Sequence, residues 1–350
     1  MRILFVGRRG TGSGQRARAL ARLGHDVHHI DPYAIAPERW LMRYLYRLGG
    51  PGIDTSVASF LEQRTAGRSY DLCIVDLGDL VGQRSLKVLR SRSPIVVNYN
   101  NDNPYVSPPG EQRRWSIFER VAGDYDLLVT PRRPGAETLV RRATGKTPMQ
   151  DWFCADEVDH APPALSSPYD RKHLQWDAIF AGTWMPPRGI FMEQLLASGL
   201  RLRIFGARWR QAPEYGALAP AVAGTHLAGR DYARAIAAAR VAIVVLNAEN
   251  RDEHTTRSVE IPAIGTAMVA PRTAHHLELY REGHEALFYD TAEECAEQCR
   301  RLIADDELRA RIAMAGHQRA RINGTYNEPL MDAIVARATG VAEVRLRRAG

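Results

Sequence analysis

The chain has 350 residues, 45% of them hydrophobic and 25% charged, a balance that excludes extensive disorder and leaves room for two globular domains of ordinary size. Apolar runs fall short of the roughly 18 residues that span a bilayer, and the opening Met1-Arg-Ile-Leu-Phe-Val-Gly7 reaches glycine too soon for a signal peptide, so a cytoplasmic protein is expected. The net charge of +7, from 47 basic against 40 acidic residues, is mostly arginine spread along the chain with no nucleic-acid module beside it. That leaves phosphorylated donors, anionic acceptors or a membrane surface as partners, and no nucleic acid.

In the first half, strand-like segments at 3–6, 26–30, 71–75, 95–98 and 126–129 alternate with helical periodicity, the pattern of a parallel sheet wrapped by helices. The first segment runs into Gly7-Arg-Arg-Gly-Thr-Gly-Ser-Gly14, followed by a helix that Gln15 continues and Gly24 ends. Gly10 and Gly12 either permit a tight turn or let a ligand approach the backbone. Their spacing is not the dinucleotide fingerprint, although Asp31 stands near where a ribose-binding acid would be. The segment 39–48 sets Arg39, Arg43 and Arg47 on one helical face with aromatics and leucines around it. Weak peripheral membrane contact and ordinary packing both account for that pattern. Asn98-Tyr-Asn-Asn-Asp-Asn-Pro-Tyr105 follows a buried strand, so Asp102 is either an acceptor-binding or proton-relay carboxylate or part of an Asx turn closed by Pro104.

Alternation pauses at a proline- and serine-rich stretch, which divides the chain into 1–160, a linker at 161–170, and 171–325, with a terminal helix and basic tail at 326–350. A second series of strands is expected at 178–181, 202–205, 225–227, 241–246, 267–269 and 286–289, followed by one long helix over 292–322. Thr183 and Arg188 follow the first of these strands, a hydroxyl and a cation suited to a diphosphate, or else a solvated arginine. The loops 205–209 and 227–232, including Gly229, lie where a base would be read by backbone amides.

The run 241–246 is continuous, β-branched and apolar, as in a strand buried on both faces. Beyond it come Asn247 and then Asp252-Glu-His-Thr-Thr-Arg-Ser-Val-Glu260. Thr255 and Thr256 can open a helix whose free N–H groups favour phosphate, with Arg257 adding charge. Glu260, one turn inside, could accept both hydroxyls of a ribose. The plainer reading is a capping box. His254 would donate to the diphosphate or cap the helix. Cys73, Cys154, Cys295 and Cys299 lack metal-ligand spacing, His25, His28 and His29 flank a strand with no carboxylate at ligand spacing, and His275 and His276 stand at a helix start. No metal or cofactor is expected.

This stretch resembles the two-domain, retaining glycosyltransferases of the GT-B fold, whose donor site carries two acids separated by seven residues, here Asp252 and Glu260. The wording from His254 to Gly265, with His275-His-Leu-Glu-Leu-Tyr280 and Ala286-Leu-Phe-Tyr-Asp290, is similar to the CgeB-like, spore-maturation group, in which an acidic, proline-containing motif like Asp102-Asn-Pro-Tyr105 also occurs. Many relatives carry Glu where this chain has Asp252. The resemblance implies an α/β protein of two Rossmann-like parallel-sheet domains facing across a cleft, with a C-terminal helix returning to the first. It implies a hexosyltransferase-type, nucleotide-sugar-dependent enzyme, bacterial, retaining and metal-independent, with a glycan, protein or small molecule as acceptor. Asp102, Asp252 and His254 would then be catalytic. Thr183, Arg188, Gly229, Asn247, Thr255, Thr256, Arg257 and Glu260 would bind the donor, and Gly10 and Gly12 would line the cleft. Two other readings stand beside it: an NAD-dependent oxidoreductase built on the first glycine loop and Asp31, and a non-catalytic binding or assembly protein of glycosyltransferase shape.

Overall fold

The computed structural model describes residues 1–105, 109–132, 136–163, 174–225, 227–247 and 252–349. They form two compact units, residues 1–152 with 327–350, and residues 153–326. Most of the stretch expected as a linker, from 164 onward, lies outside the described residues, as does His226 of the expected strand 225–227.

In the first unit the strands β1 (Arg2–Val6), β2 (Asp26–Ile30), β3 (Leu72–Asp76), β4 (Val96–Tyr99), β5 (Leu127–Thr130) and β6 (Met149–Gln150) make one parallel sheet in the order β2-β1-β3-β4-β5-β6. Residues of β1, β3 and β4 are buried almost throughout, because helices cover both faces of a parallel sheet. The helices are α1 (Thr11–Arg22), α2 (Glu38–Leu48), α3 (Ile53–Thr65), α4 (Gln83–Arg92), α5 (Pro109–Glu119) and α6 (Ala136–Thr144). β6 is two residues long, too short to leave a periodic signal.

The second unit repeats the design with β7 (Trp176–Ala181), β8 (Leu202–Phe205), β9 (Val222–Gly224), β10 (Ala239–Ile243), β11 (Ala267–Pro271) and β12 (Leu287–Tyr289), ordered β12-β11-β10-β7-β8-β9. Its helices are α7 (Pro186–Ala197), α8 (Tyr215–Leu218), α9 (Gly229–Ala237), α10 (Thr256–Ile264), α11 (Ala274–Leu279), α12 (Ala292–Ala304) and α13 (Asp306–Ile322). The last helix, α14 (Asn327–Ala349), belongs to the first unit, where it packs on α1 and Glu328 pairs with Arg22. Each unit is thus a six-stranded parallel sheet wrapped by helices, as the sequence pattern implies.

Two expectations are corrected. The edge strand lies at 222–224 rather than 225–227, because Val222 and Gly224 pair with Ile204 and Phe205 of β8. The helix expected over 292–322 breaks at Asp305, whose extended backbone (φ −114°, ψ 98°) ends α12 while its carboxylate accepts the Leu308 N–H (2.8 Å) and caps α13.

In open parallel sheets ligands bind outside the carboxyl ends of the strands, where the strand order reverses. That point lies between β1 and β3 in the first unit and between β7 and β10 in the second. The glycine loop after β1 flanks that point in the first unit, and the loop after β7 and the segment 252–257 after β10 flank it in the second.

Candidate functional site

At the switch point of the second unit, two arginines are held by backbone carbonyls. Arg188, in the first turn of α7, donates to Thr183 O (2.9 Å) and Val245 O (3.1 Å), while its Nε has no hydrogen-bond partner. Arg257, in the first turn of α10, donates from Nε to Ala181 O (3.1 Å) and from Nη1 to Thr256 Oγ1 (3.3 Å). Burial, then the like charge of Arg257, lowers the Arg188 pKa to about 10, with Asp252 opposing the shift. Carbonyl dipoles orient these guanidiniums without cancelling their charge. The carboxyl edge of β7 and β10 thus retains positive charge beside a helix N-terminus, an arrangement suited to a diphosphate.

The start of α10 is set by a chain of hydrogen bonds. Ser258 Oγ accepts the Thr255 N–H (3.1 Å) and lies 2.7 Å from His276 Nε2, while His276 Nδ1 lies 2.6 Å from Pro271 O. The carbonyl can only accept, so Nδ1 carries the proton and Nε2 accepts from the Ser258 hydroxyl. Burial pushes the His276 pKa down to about 4, so the ring is neutral at physiological pH and the tautomer is fixed by its partners. The capping box of the plainer reading is present, made by Thr255 and Ser258, and Glu260 has no part in it.

Glu260 is largely buried, with 15% of its side chain exposed, and meets two residues not singled out from the sequence. His160 Nδ1 accepts the Asp156 N–H (2.9 Å), which places the proton of the neutral ring on Nε2, 3.9 Å from Glu260 Oε1. Tyr232, stacked edge-on against His160, has a buried hydroxyl near the same carboxylate without hydrogen-bond geometry. Burial first, then the Glu260 charge, raises the Tyr232 pKa well above the ordinary phenol value. His160 lies 100 positions from Glu260, and no local signal connects them.

His254 sits among buried neighbours. Its Nε2 faces the Phe153 N–H (3.4 Å) and its Nδ1 lies 3.0 Å from His275 Nδ1. With Nε2 accepting, His254 Nδ1 donates to His275, whose Nε2 then points at Glu253 Oε2 (3.9 Å). The ring is 2% exposed, and both nitrogens have neighbours inside the unit. Its work is to hold the 252–256 loop against 153 and 275.

Of the remaining expected donor residues, Thr183 is exposed beside Arg188, and the Asp252 N–H reaches Asn247 O (3.4 Å) across residues 248–251, which lie outside the described ones. Gly229 opens α9 at φ +52°, with Asp159 the nearest side chain to a hypothetical Cβ. In the loop after β8, Trp209 is buried and donates Nε1 to Gly182 O (2.9 Å), a structural anchor rather than a platform for a base. Gly206 there has φ +148°, and a Cβ would lie 1.9 Å from Gly182 O, so the close approach requires glycine.

The corresponding edge of the first unit is occupied by ion pairs. Arg16 Nε meets Asp76 Oδ2 (2.7 Å), both buried, and stacks on Tyr99. Arg114 bridges Asp79 (2.7 Å) and Asp102 (3.1 Å), and the Tyr33 hydroxyl donates to Asp79. Burial opposes the Arg114 charge, but Asp79 and Asp102 raise its pKa above the usual arginine value. The Asp102 side chain is 38% exposed and lines a pocket together with Asn98, Asn100, Tyr105, Thr130 and Arg132. The Asx turn in this loop is made by Asn100, whose Oδ1 accepts the Asp102 N–H (2.9 Å), so the Asp102 carboxylate is not consumed by a turn. A Cβ on Gly10 would meet nothing within 4 Å, and one on Gly12 only the Arg16 guanidinium. Asp31 accepts from Tyr33 N–H (2.9 Å) and Arg9 N–H (3.0 Å), leaving it a cap rather than a ribose-binding acid and removing the mainstay of the oxidoreductase reading. Among the described residues no three His, Cys, Asp or Glu side chains are grouped to hold a metal ion.

Residues 188–334 match the family model described as glycosyl transferase-like, a segment that begins at Arg188 and contains the whole of α10. No curated protein sequence matches this one. Among solved structures the fold is similar to sucrose-phosphate synthase from Thermosynechococcus elongatus, at TM-score 0.67 and 15% identity over 100% of both chains. It is also similar to Anabaena HepE in complex with UDP and glucose, at TM-score 0.63 and 15% identity over 97% of this chain and 99% of that one. An alpha-glucosyltransferase in complex with UDP and DNA matches at TM-score 0.64 and 13% identity over 98% and 99% of the two chains.

Proposed function

We propose that this protein is a glycosyltransferase that takes a sugar from a nucleoside diphosphate donor, UDP being the first candidate because the HepE and alpha-glucosyltransferase structures hold it. The observation that carries the reading is the pair Arg188 and Arg257, adjacent cations resting on carbonyls at the switch point of the second sheet. As the bond from sugar to β-phosphate breaks, negative charge gathers on the leaving diphosphate. Two fixed guanidiniums and the N-terminus of α10 meet it without reorganisation. Transfer in this reading needs no divalent cation.

Glu260 takes the ribose hydroxyls, with His160 and Tyr232 limiting where its carboxylate can go. Thr183, Thr255 and Thr256 contribute hydroxyls to the phosphates, and Asp252 faces the donor sugar. Asp102, exposed at its pocket and oriented by Arg114, contacts the acceptor. The acceptor proton passes to the leaving phosphate on the face from which that group departs, which gives retention. The motifs shared with the CgeB-like group fit this assignment.

Titration calorimetry with UDP, GDP, dTDP and NAD tests it. UDP should bind, NAD should not, and Glu260→Ala should weaken UDP by about 1.5–3 kcal/mol, the range for a hydrogen bond to a charged group. Unchanged UDP affinity in the folded variant would remove Glu260 from the donor site. Loss of transfer on chelation, restored by magnesium, would overturn the charge assignment. Tight UDP binding without hydrolysis or transfer to any acceptor would instead favour the non-catalytic reading.

A further inference from the structure

The helix α2 presents a surface that the transfer reading does not use. Leu41 and Leu45 bury its inner face against the first unit, while Trp40, Tyr44 and Leu48 lie outward at successive steps of four residues, 68%, 37% and 64% exposed. They are three of the nine large apolar side chains exposed among the described residues, and Trp40 and Tyr44 are the aromatic ones. The other six fall at most two to an element, so this line of three is the one that calls for a partner among the described residues.

Arg39, Arg43 and Arg47 form a second exposed line beside it, and none is in an ion pair among the described residues. The one acid of α2, Glu38, is paired with Arg8 at the base of the helix. Arg113 of α5 donates to Arg47 O and adds a fourth exposed cation at the C-terminal end. The face therefore offers unneutralised positive charge alongside aromatic and aliphatic side chains, all outside the core.

We infer that α2 lies on the surface of an anionic lipid bilayer, with Trp40, Tyr44 and Leu48 entering the interface and Arg39, Arg43, Arg47 and Arg113 meeting lipid phosphates. The pattern of charge decides the partner. An anionic bilayer presents negative charge over an apolar layer in the depth order that arginines and adjoining aromatics match. A second copy joined by a two-fold axis would set arginines of one α2 against those of the other. Among the described residues no helix is long and apolar enough to cross a membrane, so attachment by this face would be peripheral.

Vesicle flotation of the full chain tests the inference. The protein should float with vesicles of phosphatidylcholine containing about one third phosphatidylglycerol, not with phosphatidylcholine alone, and should be released by salt. Arg39→Gln/Arg43→Gln/Arg47→Gln should reduce partitioning by about a hundredfold, taking roughly fivefold per arginine. Trp40→Ala/Tyr44→Ala/Leu48→Ser should abolish it, with the melting curve shifting only slightly through loss of the hydrogen bond from the Tyr44 hydroxyl to Pro51 O. Failure of the parent chain to float with anionic vesicles, or equal flotation of either variant, overturns the inference. So does a parent dimer in light scattering that the apolar triple variant converts to monomer, which would assign the face to a second copy.

Discussion

The two switch points occupy the same place in two similar sheets, yet they handle charge in opposite ways. In the first unit the cations are neutralised by carboxylates of the same unit: Arg16 by Asp76, Arg114 by Asp79 and Asp102. In the second, Arg188 and Arg257 are oriented by carbonyls. A buried ion pair completed within the protein is scaffolding, because its charges are already satisfied. A cation oriented by carbonyl dipoles keeps more of its field for whatever binds next, and burial, followed by the like charge of Arg257, lowers the Arg188 pKa even though Asp252 opposes the shift.

The widest separation should appear when each kind of charge is removed. Asp79→Ala leaves Arg114 and the Tyr33 hydroxyl without their shared buried acceptor, and should cost about 3–5 kcal/mol in urea unfolding. Arg188→Met removes a cation the fold disfavours, so nucleotide-free stability should stay level or rise, by up to about 3 kcal/mol, while UDP affinity falls at least about tenfold. Equal destabilisation by the two changes would make Arg188 scaffolding as well and dissolve the contrast.

A second effect of about 3 kcal/mol follows from His276, with its pKa lowered from 6.5 to about 4. Its folded pKa is depressed and it is neutral when deprotonated, so its contribution is fully present above pH 6.5. Below that the unfolded chain binds a proton the folded one refuses, and stability is lost down to about pH 4. Wild type should therefore lose about 1.4 kcal/mol per pH unit more than His276→Gln through this window. Parallel pH profiles would assign the titration elsewhere and leave the Ser258 chain without its acceptor role.

The smallest effects concern the glycine loop of the first unit. A Cβ on Gly7 would lie 2.3 Å from Ser13 Oγ and 2.9 Å from Asp76 Cβ, so Gly7→Ala should destabilise by about 1–3 kcal/mol. Gly10, at the N-cap of α1 with open space around it, should tolerate alanine within about 1 kcal/mol. If Gly10→Ala also leaves transfer rates untouched, the loop is a turn and the first-unit role contracts to Asp102.

What could be read from the sequence was what repeats locally. Apolar β-branched runs alternating with helical periodicity define two parallel sheets, since a strand buried on both faces must be apolar along its length. The spacing from Asp252 through Arg257 to Glu260 placed those residues after a strand and across one helical turn, because both facts depend only on neighbours in the chain. The break at Asp305 escaped notice because one aspartate in a long polar helix has no periodic signature until its backbone turns extended. Tertiary structure alone decided which charges remain available. Asp79 meets Arg114 across 35 positions, Glu260 meets His160 across 100, and His254 is committed to Phe153 and His275. Whether an arginine is neutralised or a histidine can give up a proton depends on what the fold brings within a few ångströms, and electrostatic interaction follows distance in space, not separation along the chain.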